Sequence, residues 1–442
     1  MNIQQELSGS KSPFPLGKGW DGASSFGSGV QAIILAGGLG TRLRSAVPDL
    51  PKCMAPVAGQ PFLYYVINYL RMQGIEKIIF SLGYMHEVIL DWLQKEFPTL
   101  NYDYVIEEEP LGTGGAIQFA LQKADTENVF IANGDTLFKF DAEAQLKQHL
   151  QTNVECTLAL KPMQNFDRYG VVELNDNNII TSFKEKQHYD EGFINAGLYL
   201  VNKASFLKKD FTQKFSFEKD YLEKYVSDGL FSGIVTDSYF IDIGIPEDYN
   251  RAQTEFARQE LDLNIIDKDW TLFLDRDGVI NHDNPGGYIT TPDEFQFTED
   301  VPALFTKLNQ KFKRIIVVTN QRGVGRGIIR HDDLIAMNEK MLEGVKNAGG
   351  DIEKIYFCTD IQDNAFYRKP NPGMAFQALK DFPDTDLSKS IIVGNSLSDM
   401  RFGRYAGMYT VFIASTNKSI RLPHADIDLI FDSLKSFSDA LK

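Results

Sequence analysis

The sequence predicts an α/β protein with two doubly wound domains, each built on a mainly parallel sheet. Short apolar runs alternate with helix-like stretches, and this alternation is typical of parallel strands joined by crossover helices. The alternation starts twice, once at residue 31 and again at residue 270. The length of 442 residues also favours two or three domains, at roughly 150 residues per domain.

The first series predicts buried strands, because its apolar runs are short and are bounded by turn-forming or polar residues. These runs are residues 31–36, 77–82, 129–132 and 156–160. Residues Phe62–Met72 and 116–123 lie between them and have helical patterns. Between residues 156 and 239 strand-like segments dominate, which predicts an added, partly antiparallel substrate region. The polar, helix-prone segment 247–260 is expected to close the first domain.

The second series again consists of short apolar runs that predict buried strands. They are residues 270–274, 314–319, Lys354–Cys358, 390–393 and Tyr409–Ile413. The change from one series to the next places the domain boundary near residues 262–269. We therefore expect a flexible, Gly- and Ser-rich extension at 1–29, a first domain at 30–261 and a second at 270–442.

Composition excludes several classes of protein. A chain that is 43% hydrophobic and 24% charged is globular rather than disordered. Its 45 Lys and Arg against 60 Asp and Glu give a net charge of −15, whereas a nucleic-acid-binding protein normally carries a basic patch. No apolar run approaches the ~20 residues that span a bilayer, and the N-terminal residues lack the core of a signal peptide. The three widely spaced cysteines predict a cytoplasmic protein.

A glycine-rich segment follows the first predicted strand and indicates a phosphate site. Gly37, Gly38 and Gly40 allow backbone N–H groups to approach phosphate oxygens closely. Arg42 and Lys52 can add charge-assisted hydrogen bonds to the same oxygens. The glycines alone are equally compatible with a tight turn, and their spacing matches neither a dinucleotide fingerprint nor a P-loop.

The longer string at residues 35–44 and 51–57 resembles the signature of the sugar-1-phosphate nucleotidyltransferases. Further segments match that family in the right order, at 107–116, 133–135, 185–186, 195–197 and 242–249. The resemblance covers about residues 30–252. It implies that a sugar 1-phosphate attacks the α-phosphorus of a nucleoside triphosphate and expels pyrophosphate, with no covalent enzyme intermediate.

The same resemblance implies roles for individual residues. Nucleotide binding is implied for Leu35, Gly37, Gly38, Gly40, Thr41, Glu108, Gly112 and Thr113. Sugar and sugar-phosphate binding is implied for Glu185, Lys186, Asn195 and Gly197. Arg42 binds the departing pyrophosphate in this scheme, and Lys52 binds the region of the α-phosphate. Asp135 and Asp242 hold Mg²⁺, for which carboxylate oxygens are suitable ligands.

Polar residues also follow the strands of the second series. They are Asp275 and Asp277, Thr319 and Asn320, Arg368 and Lys369, and the segment 394–399. Two aspartates after a strand could form a simple turn. Because each of these groups comes at or after the carboxyl end of a predicted parallel strand, however, the whole set indicates a ligand-binding site.

This set resembles the haloacid dehalogenase-type phosphatases. The resemblance implies that Asp275 attacks phosphorus to form an aspartyl-phosphate, and that Asp277 protonates the leaving oxygen and then activates water. Thr319 and Lys369 bind the phosphoryl oxygens in this scheme. Substrate-binding roles are implied for Asn320, Arg322 and Arg368. The implied Mg²⁺ ligands are Asp275, Asp277 through its backbone carbonyl, Asn395 and Asp399.

Within that family the second half resembles the heptose bisphosphate phosphatases and the histidinol-phosphate phosphatases. The matching segments are 273–281, 287–288, 319–327 and 368–374. The interval between Asp277 and Thr319 is too short for a large cap domain. Many members hold zinc through a Cys-x-His pair and two more cysteines, but this stretch keeps only Cys358 and no histidine, so we predict no zinc. Asn395 replaces the usual Asp, which removes one charge from the Mg²⁺ site.

The two resemblances together predict a bifunctional enzyme. A phosphatase acting at C1 would destroy the transferase's substrate, so the economical substrate is a sugar bisphosphate that keeps its 1-phosphate. The phosphatase subgroup then suggests D-glycero-D-manno-heptose 1,7-bisphosphate, cut at C7, and GTP is the expected nucleotide. The product would be a nucleotide-activated heptose, a precursor of lipopolysaccharide or S-layer glycans.

Two alternatives are left open by the sequence. The chain could join a hexose-1-phosphate nucleotidyltransferase, such as one for mannose 1-phosphate, to a phosphatase of different specificity, such as the histidinol-phosphate type. It could also be a scaffold that binds ligands without turnover, for which Asn395 is the only indication. The sequence specifies neither the anomer nor the oligomeric state, so a homo-oligomer stays open.

Overall fold

The computed structural model describes residues 29–38, 47–184, 186–284, 286–298, 300–415 and 417–441. The extension predicted at 1–29 lies outside these ranges except for its last residue. The described residues form two compact units, of which the first ends at Gln259 and the second begins at Glu260. A short 3₁₀ turn, Leu263–Ile265, follows this division and precedes the second sheet.

The first unit combines strands and helices in alternation through its first half. Its strands within the described residues are β1 Val30–Ala36, β2 Pro56–Val57, β3 Gln60–Pro61, β4 Ile75–Leu82, β5 Tyr102–Ile106, β6 Asn128–Asn133, β7 Thr136–Phe138, β8 Cys156–Phe166, β9 Val171–Leu174, β10 Ile180–Lys184, β11 Tyr189–Asn202, β12 Phe231–Val235 and β13 Phe240–Asp242. Its helices there are α1 Phe62–Met72, α2 His86–Glu96, α3 Gly112–Leu121, α4 Ala142–Thr152, α5 Lys203–Leu207 and α6 Pro246–Glu255. A π-helical turn, Phe217–Glu223, lies between α5 and β12.

Nine strands form the main sheet among the described residues of this unit. Its parallel half has the order β6-β1-β4-β5, so the winding direction reverses between β1 and β6. Strand β1 lies inside the sheet and is almost entirely buried, which explains its near-continuous apolar sequence. Strand β11 joins β6 in antiparallel orientation and also pairs with β8 and β9, which in turn pair with β12 and β10. The predicted antiparallel region is therefore continuous with the parallel sheet.

Helix α3 begins at Gly112 rather than at residue 116, where the sequence predicted it. Glycine disfavours helix interiors, so the sequence of residues 112–115 suggests a loop. Tertiary packing decides otherwise, because a Cβ at Gly114 would lie 2.2 Å from the ring of Phe215. The backbone N–H of Gly114 also donates to the carbonyl oxygen of Phe215 at 3.0 Å. The absence of a side chain here allows α3 to pack directly on the neighbouring segment.

The second unit contains shorter strands separated by helices. Its strands within the described residues are β14 Thr271–Leu274, β15 Arg314–Asn320, β16 Lys354–Cys358, β17 Ser390–Gly394, β18 Tyr409–Ile413 and β19 Leu429–Phe431. Its helices there are α7 Val301–Lys311, α8 Arg322–Gly325, α9 His331–Asn347, α10 Gly373–Asp381, α11 Leu397–Ala406 and α12 Leu434–Ala440. Strands β14 to β18 match the predicted strands to within one residue at either end.

These strands form one parallel sheet with the order β16-β15-β14-β17-β18-β19. Numbered from β14, this is the 3-2-1-4-5-6 order of a doubly wound sheet. Strands β14 and β17 are buried along their whole length, and the winding reverses between them. Sheets of this kind bind ligands at the carboxyl ends of the strands beside that reversal. The predicted fold class is therefore confirmed in both units.

Two further features concern cysteines and membrane segments. Cys53, Cys156 and Cys358 are all buried, free thiols. Throughout the described ranges, no helix combines the length and the apolar character that crossing a bilayer requires.

Candidate active sites

The first candidate site is a cavity of about 570 Å³ where the winding of the first sheet reverses. The residues after β1 and β6 contribute to its wall. Its lining includes the predicted residues Leu35, Gly37, Gly38, Lys52, Gly112, Thr113 and Asp135. The predicted residues Gly40, Thr41 and Arg42 lie outside the described residues.

The cavity wall contains Glu107, whereas the sequence pattern had selected Glu108. The Glu107 carboxylate accepts a hydrogen bond from Ser81 Oγ at 3.0 Å and another from the backbone N–H of Leu111 at 3.0 Å. These bonds tie the turn before α3 to β4. Glu108 itself is exposed. The alternation of side chains along β5 does not predict which of the two glutamates lines the cavity, because β5 ends at Ile106, before both of them.

A lysine and two aspartates meet at one side of this cavity. Strands β7 and β13 pair antiparallel with Asp242 opposite Thr136, which brings Asp242 beside Asp135. Lys52 Nζ forms an ion pair with Asp135 and lies 3.5 Å from Asp242 Oδ1. The side chains of Lys52, Asp135 and Asp242 keep exposures of 14%, 27% and 18%. Three predicted residues that are distant in sequence therefore form one charged cluster that solvent still reaches.

Two of the predicted sugar-phosphate residues lie together in β11. Its pairing with β8 is irregular between Asn195 and Tyr199. Asn195 Oδ1 accepts from the backbone N–H of Gly197 at 3.0 Å, and its Nδ2 donates to the hydroxyl of Tyr199 at 2.9 Å. Asn195 therefore stabilises the local backbone. Lys186 is exposed, and Glu185 lies outside the described residues.

The second candidate site is centred on Lys369, whose side chain is 2% exposed. Its Nζ lies 2.8 Å from Asp275 Oδ1 and 2.6 Å from Asp399 Oδ1, and it donates to the carbonyl oxygen of Val318 at 2.8 Å. Burial alone would lower the pKa of Lys369, but the two carboxylates raise it. Burial and the neighbouring Asp399 raise the pKa of Asp275. The structure thus joins Asp275 after β14, Lys369 before α10 and Asp399 in α11 into one buried charged cluster beside β15.

The second aspartate of the Asp-x-Asp pair is held by several donors. Asp277 Oδ1 accepts from Asn281 Nδ2 at 3.0 Å, and Oδ2 accepts from Gln321 Nε2 at 2.8 Å. Arg276 donates to both oxygens at 3.0 Å. Burial would raise the pKa of Asp277, but the Arg276 guanidinium and these hydrogen bonds outweigh it and hold the pKa below its usual value. The sequence pattern had not assigned roles to Arg276, Asn281 or Gln321.

Two of the predicted phosphatase residues are fixed by hydrogen bonds around β15. Thr319 Oγ1 accepts from Gln321 Nε2 at 2.9 Å, and its residue is 1% exposed. The Asn320 side chain exchanges two hydrogen bonds of 3.0 Å with the backbone of Lys369. These contacts join the end of β15 to the segment that carries Lys369.

The predicted substrate-binding arginines converge on a residue that the sequence pattern did not reveal. Arg322 forms an ion pair with Asp363, and Arg368 Nε lies 3.7 Å from Asp363 Oδ1. Burial and the nearby charge of Arg322 lower the pKa of Arg368. Asp363 lies in the loop after β16 and belongs to no recognisable motif. Two guanidinium groups at one exposed carboxylate indicate a place where an anion can bind.

Asn395 and Asp399 follow β17 at the edge of the same cluster. Asn395 is buried beside Gly278. A Cβ at Gly278 would lie 2.0 Å from Asn395 Nδ2, and the φ of +82° at this residue also favours glycine. Asp399 Oδ2 accepts from the backbone N–H and the hydroxyl of Ser396, at 3.0 and 2.7 Å. This capping box leaves Oδ1 directed at Lys369.

The donor atoms of both sites fit a hard divalent cation. Among the described residues, no three His, Cys, Asp or Glu side chains lie close enough together to hold a metal ion by themselves. Each site offers two carboxylates that already share one cationic lysine, and Asn395, four residues before Asp399, is buried. Oxygen donors of this kind suit Mg²⁺, which commonly completes its shell with water and substrate phosphate. The predicted absence of zinc stays a prediction.

Comparison with known families divides the chain in the same way. Residues 31–259, just over half of the chain, match the family described as Nucleotidyl transferase. Residues 264–432 match the family described as Polynucleotide kinase 3 phosphatase.

Individual relatives cover about half of the chain. A D-glycero-alpha-D-manno-heptose 1-phosphate guanylyltransferase from Aneurinibacillus thermoaerophilus is 50% identical over 226 residues, which are 51% of this chain and 98% of that protein. A protein of the same name from Campylobacter jejuni is 44% identical over 220 residues, 50% of this chain and 97% of that protein. HddC from Yersinia pseudotuberculosis, for which a crystal structure is known, is 40% identical in sequence. The match covers 51% of this chain and 99% of HddC, with a TM-score of 0.48.

Proposed function

The chain belongs to the nucleotidyl transferase family, and from this premise we propose that it activates a heptose in two steps. The second unit removes the 7-phosphate of D-glycero-D-manno-heptose 1,7-bisphosphate. The first unit then transfers GMP from GTP to the remaining 1-phosphate and releases pyrophosphate. We assign the transfer to residues 30–261 and the hydrolysis to residues 270–442. The observation that carries the transferase assignment is the 50% identity to a heptose 1-phosphate guanylyltransferase over nearly its whole length.

In the transfer step, an oxygen of the heptose 1-phosphate attacks the α-phosphorus of GTP. The bond from that phosphorus to the bridging oxygen breaks, and its electron pair leaves with pyrophosphate. Lys52 lies in the cavity wall and stabilises the negative charge of the phosphates, while Gly37 and Gly38 after β1 let them approach the backbone. Asp135 and Asp242 would hold Mg²⁺, which supplies further charge neutralisation when bound. Catalysis in this step depends on holding the attacking phosphate oxygen, the α-phosphorus and the leaving oxygen in line.

In the hydrolytic step, Asp275 forms a bond to the phosphorus of the 7-phosphate, and the bond from phosphorus to the sugar oxygen breaks. Asp277 gives its proton to that oxygen, then takes a proton from the water that hydrolyses the aspartyl-phosphate. The lowered pKa of Asp277 suits the second of these roles, and the negative charge of a bound phosphate would raise it for the first. Thr319 and Lys369 hold the phosphoryl oxygens, and Asp275, Asp399 and the carbonyl of Asp277 would hold Mg²⁺.

The order of the two steps follows from their chemistry. The transferase needs a free 1-phosphate, so the phosphatase must leave C1 intact and act at the far end of the sugar. The anion site formed by Arg322 and Arg368 beside the second cluster would hold the 1-phosphate while C7 lies at Asp275. We expect both steps, and the soluble substrates they need, in the cytoplasm.

The transferase assignment is tested with purified chain, Mg²⁺ and the α-anomer of D-glycero-D-manno-heptose 1-phosphate. GTP, UTP, CTP, ATP and dTTP are supplied in turn, and pyrophosphate release is measured. We expect GTP to be the preferred nucleotide and the heptose to be used better than mannose 1-phosphate. Better use of mannose 1-phosphate would instead favour a hexose-1-phosphate nucleotidyltransferase.

The phosphatase assignment is tested by replacing the nucleophile. Asp275→Asn should lower the rate of phosphate release from the bisphosphate by about 10⁴-fold, because the covalent intermediate cannot form. GMP transfer by the same variant should persist. The matched control is Asp269→Asn, which changes an exposed aspartate of the same unit that pairs with Lys389. Phosphate release by Asp275→Asn at the wild-type rate would exclude this nucleophile, whereas no phosphate release by the unchanged chain would favour the scaffold alternative.

A further inference from the structure

Arg276, between the two catalytic aspartates, is one of the largest fully buried side chains of the described structure, with 1% exposure. Its Nε and Nη2 donate to Asp277 Oδ1 at 3.2 and 3.0 Å, and Nη2 also donates to Oδ2 at 3.0 Å. Its Nη1 points to another element and donates to Asn338 Oδ1 at 3.0 Å. The planar guanidinium therefore joins the Asp277 carboxyl to helix α9.

Asn338 is fully buried in α9 and is 62 residues away from Arg276 in the sequence. Its Oδ1 accepts the hydrogen bond from Arg276, while its Nδ2 has no hydrogen-bond partner. A buried donor without a partner destabilises the folded state. An apolar residue here would avoid that cost but would leave the buried Nη1 of Arg276 without its acceptor, so the hydrogen bond from Arg276 is the contact that an asparagine provides at this place.

The guanidinium geometry explains what Asn338 adds. The group is rigid and planar, so fixing Nη1 also fixes the opposite edge, where Nε and Nη2 meet the carboxyl of Asp277. Asn281 and Gln321 bind the same carboxyl from other directions, and Gln321 also donates to Thr319 at 2.9 Å. Among the described residues, the contact to Asn338 connects this group of hydrogen bonds to the long helix α9, because Asn338 lies near the middle of His331–Asn347.

We propose that Asn338 is a positioning residue, which acts through Arg276 to hold the Asp277 carboxyl where it can protonate the leaving sugar oxygen. The proposal rests on the phosphatase function proposed above. In the step concerned, the Asp275–phosphorus bond forms, the phosphorus–oxygen bond to C7 breaks, and the proton of Asp277 passes to the departing oxygen. A displaced Asp277 leaves binding and nucleophilic attack intact but weakens this proton transfer.

The proposal predicts a dependence on the leaving group. A sugar alkoxide leaves poorly unless it is protonated, whereas p-nitrophenolate is a stable anion and leaves without a proton. Asn338→Leu, which removes the acceptor at similar volume, should therefore lower the single-turnover rate for heptose 1,7-bisphosphate. The expected loss is about 10- to 100-fold, part of the 10²–10⁴-fold that proton transfer contributes. The burst rate of p-nitrophenolate from p-nitrophenyl phosphate should change much less, and KM for the bisphosphate should stay within about twofold.

Two further variants and one activity measurement make the result decisive. Met341→Ala removes another fully buried side chain of α9 and should affect both substrates to the same extent. Arg276→Lys keeps the charge but cannot bond Asn338 and Asp277 together, so it should show the same selective loss and provides a second route if Asn338→Leu does not fold. GMP transfer by the first unit, measured on each variant, reports whether the chain as a whole is intact.

The outcomes separate the proposal from the function on which it rests. A fall in the ratio of the bisphosphate rate to the p-nitrophenyl phosphate rate supports the positioning role. Equal losses on both substrates, or no loss on either, overturn it and leave Asn338 a structural residue. If Asp275→Asn still releases p-nitrophenolate in a burst, the proposed phosphatase mechanism is wrong instead.

Discussion

Both units contain a lysine between two aspartates at the carboxyl edge of a sheet, but the two clusters differ in burial. Lys369, Asp275 and Asp399 have side-chain exposures of 2%, 12% and 1%. In the first unit, Lys52, Asp135 and Asp242 keep 14%, 27% and 18% exposure beside a cavity of about 570 Å³. The same charge pattern therefore serves two purposes, which the chemistry of each proposed reaction explains.

The buried cluster suits covalent catalysis on a small group. One phosphoryl group must reach Asp275 at bonding distance, and water must be excluded until the aspartyl-phosphate has formed. The open cluster suits two large anionic substrates, a nucleoside triphosphate and a sugar phosphate, which supply most of the charge themselves. Burial thus makes the second cluster part of the folded core, whereas the first cluster lies at a cavity that solvent reaches.

The largest expected effect is a loss of unfolding free energy in the second unit, which distinguishes the buried cluster from the open one. Lys369→Met leaves two buried carboxylates without their counterion and should cost the second unit about 3–5 kcal/mol of unfolding free energy. Urea unfolding is followed at Trp270, in a background with Trp20→Phe and Trp92→Phe. The control is Lys389→Met, which breaks an exposed ion pair with Asp269. A change below about 1 kcal/mol in Lys369→Met would contradict the view that this cluster belongs to the core.

The corresponding change in the open cluster should act on activity instead. Lys52→Met removes a cation from the phosphate site and should lower GMP transfer by about 10²-fold, as loss of one stabilising donor does in other enzymes. Because solvent reaches Lys52, unfolding free energy should change by no more than about 1 kcal/mol. Lys77→Met, which breaks the pair with the exposed Asp125 in the same unit, is the control. If Lys52→Met lost as much stability as Lys369→Met, the two clusters would not differ in their contribution to folding.

The smallest effect concerns a buried histidine away from either cluster. His149 is 3% exposed, and burial lowers its pKa from 6.5 to about 4. Its ring nitrogens meet Thr157 at 2.9 Å and Asn128 at 3.1 Å. The unfolded chain protonates first as the pH falls, so the stability due to the neutral ring is full above pH 6.5 and is lost towards pH 4. Between pH 7 and pH 5 this loss amounts to about 2 kcal/mol.

Replacement of this histidine checks the sign of the effect. In His149→Gln the fall in stability between pH 7 and pH 5 should become smaller when unfolding is followed at Trp92 in the first unit. Unfolding followed at Trp270 in the second unit should keep its pH dependence, and His86→Gln serves as the control within the first unit. An unchanged slope at Trp92 would show that His149 is not buried in its neutral form.

Much of the fold could be predicted from the sequence because it depends on local patterns. Strands β14 to β18 match their apolar runs to within one residue, since each run is short and is bounded by polar residues. The predicted start of α3 at residue 116 was wrong, because the segment Gly112–Gly115 has low helix propensity. The helix nevertheless begins at Gly112, since Gly114 packs against Phe215, a tertiary contact that no local pattern shows. Propensity is a weak guide where a helix must approach another segment closely.

The sites were predictable where residues follow strand ends and unpredictable where they meet across the chain. Asp275, Thr319 and Asp399 lie as expected around one point, because parallel strands end at a common edge. Asp363, which binds Arg322, and Asn338, which binds Arg276, belong to no motif. Their roles depend on side-chain contacts between distant segments, which one sequence without homologues does not reveal.

In the proposed function, one chain hydrolyses one end of a sugar bisphosphate and activates the other. The most direct measurement incubates the full chain with D-glycero-α-D-manno-heptose 1,7-bisphosphate, GTP and Mg²⁺ and follows the ³¹P NMR signals with time. We expect the C7 phosphate signal to become inorganic phosphate while the C1 signal persists, and the C1 signal then to become the diphosphate of a GDP-sugar with equimolar pyrophosphate. Release of the C1 phosphate as inorganic phosphate, or an unchanged bisphosphate, would contradict the claim.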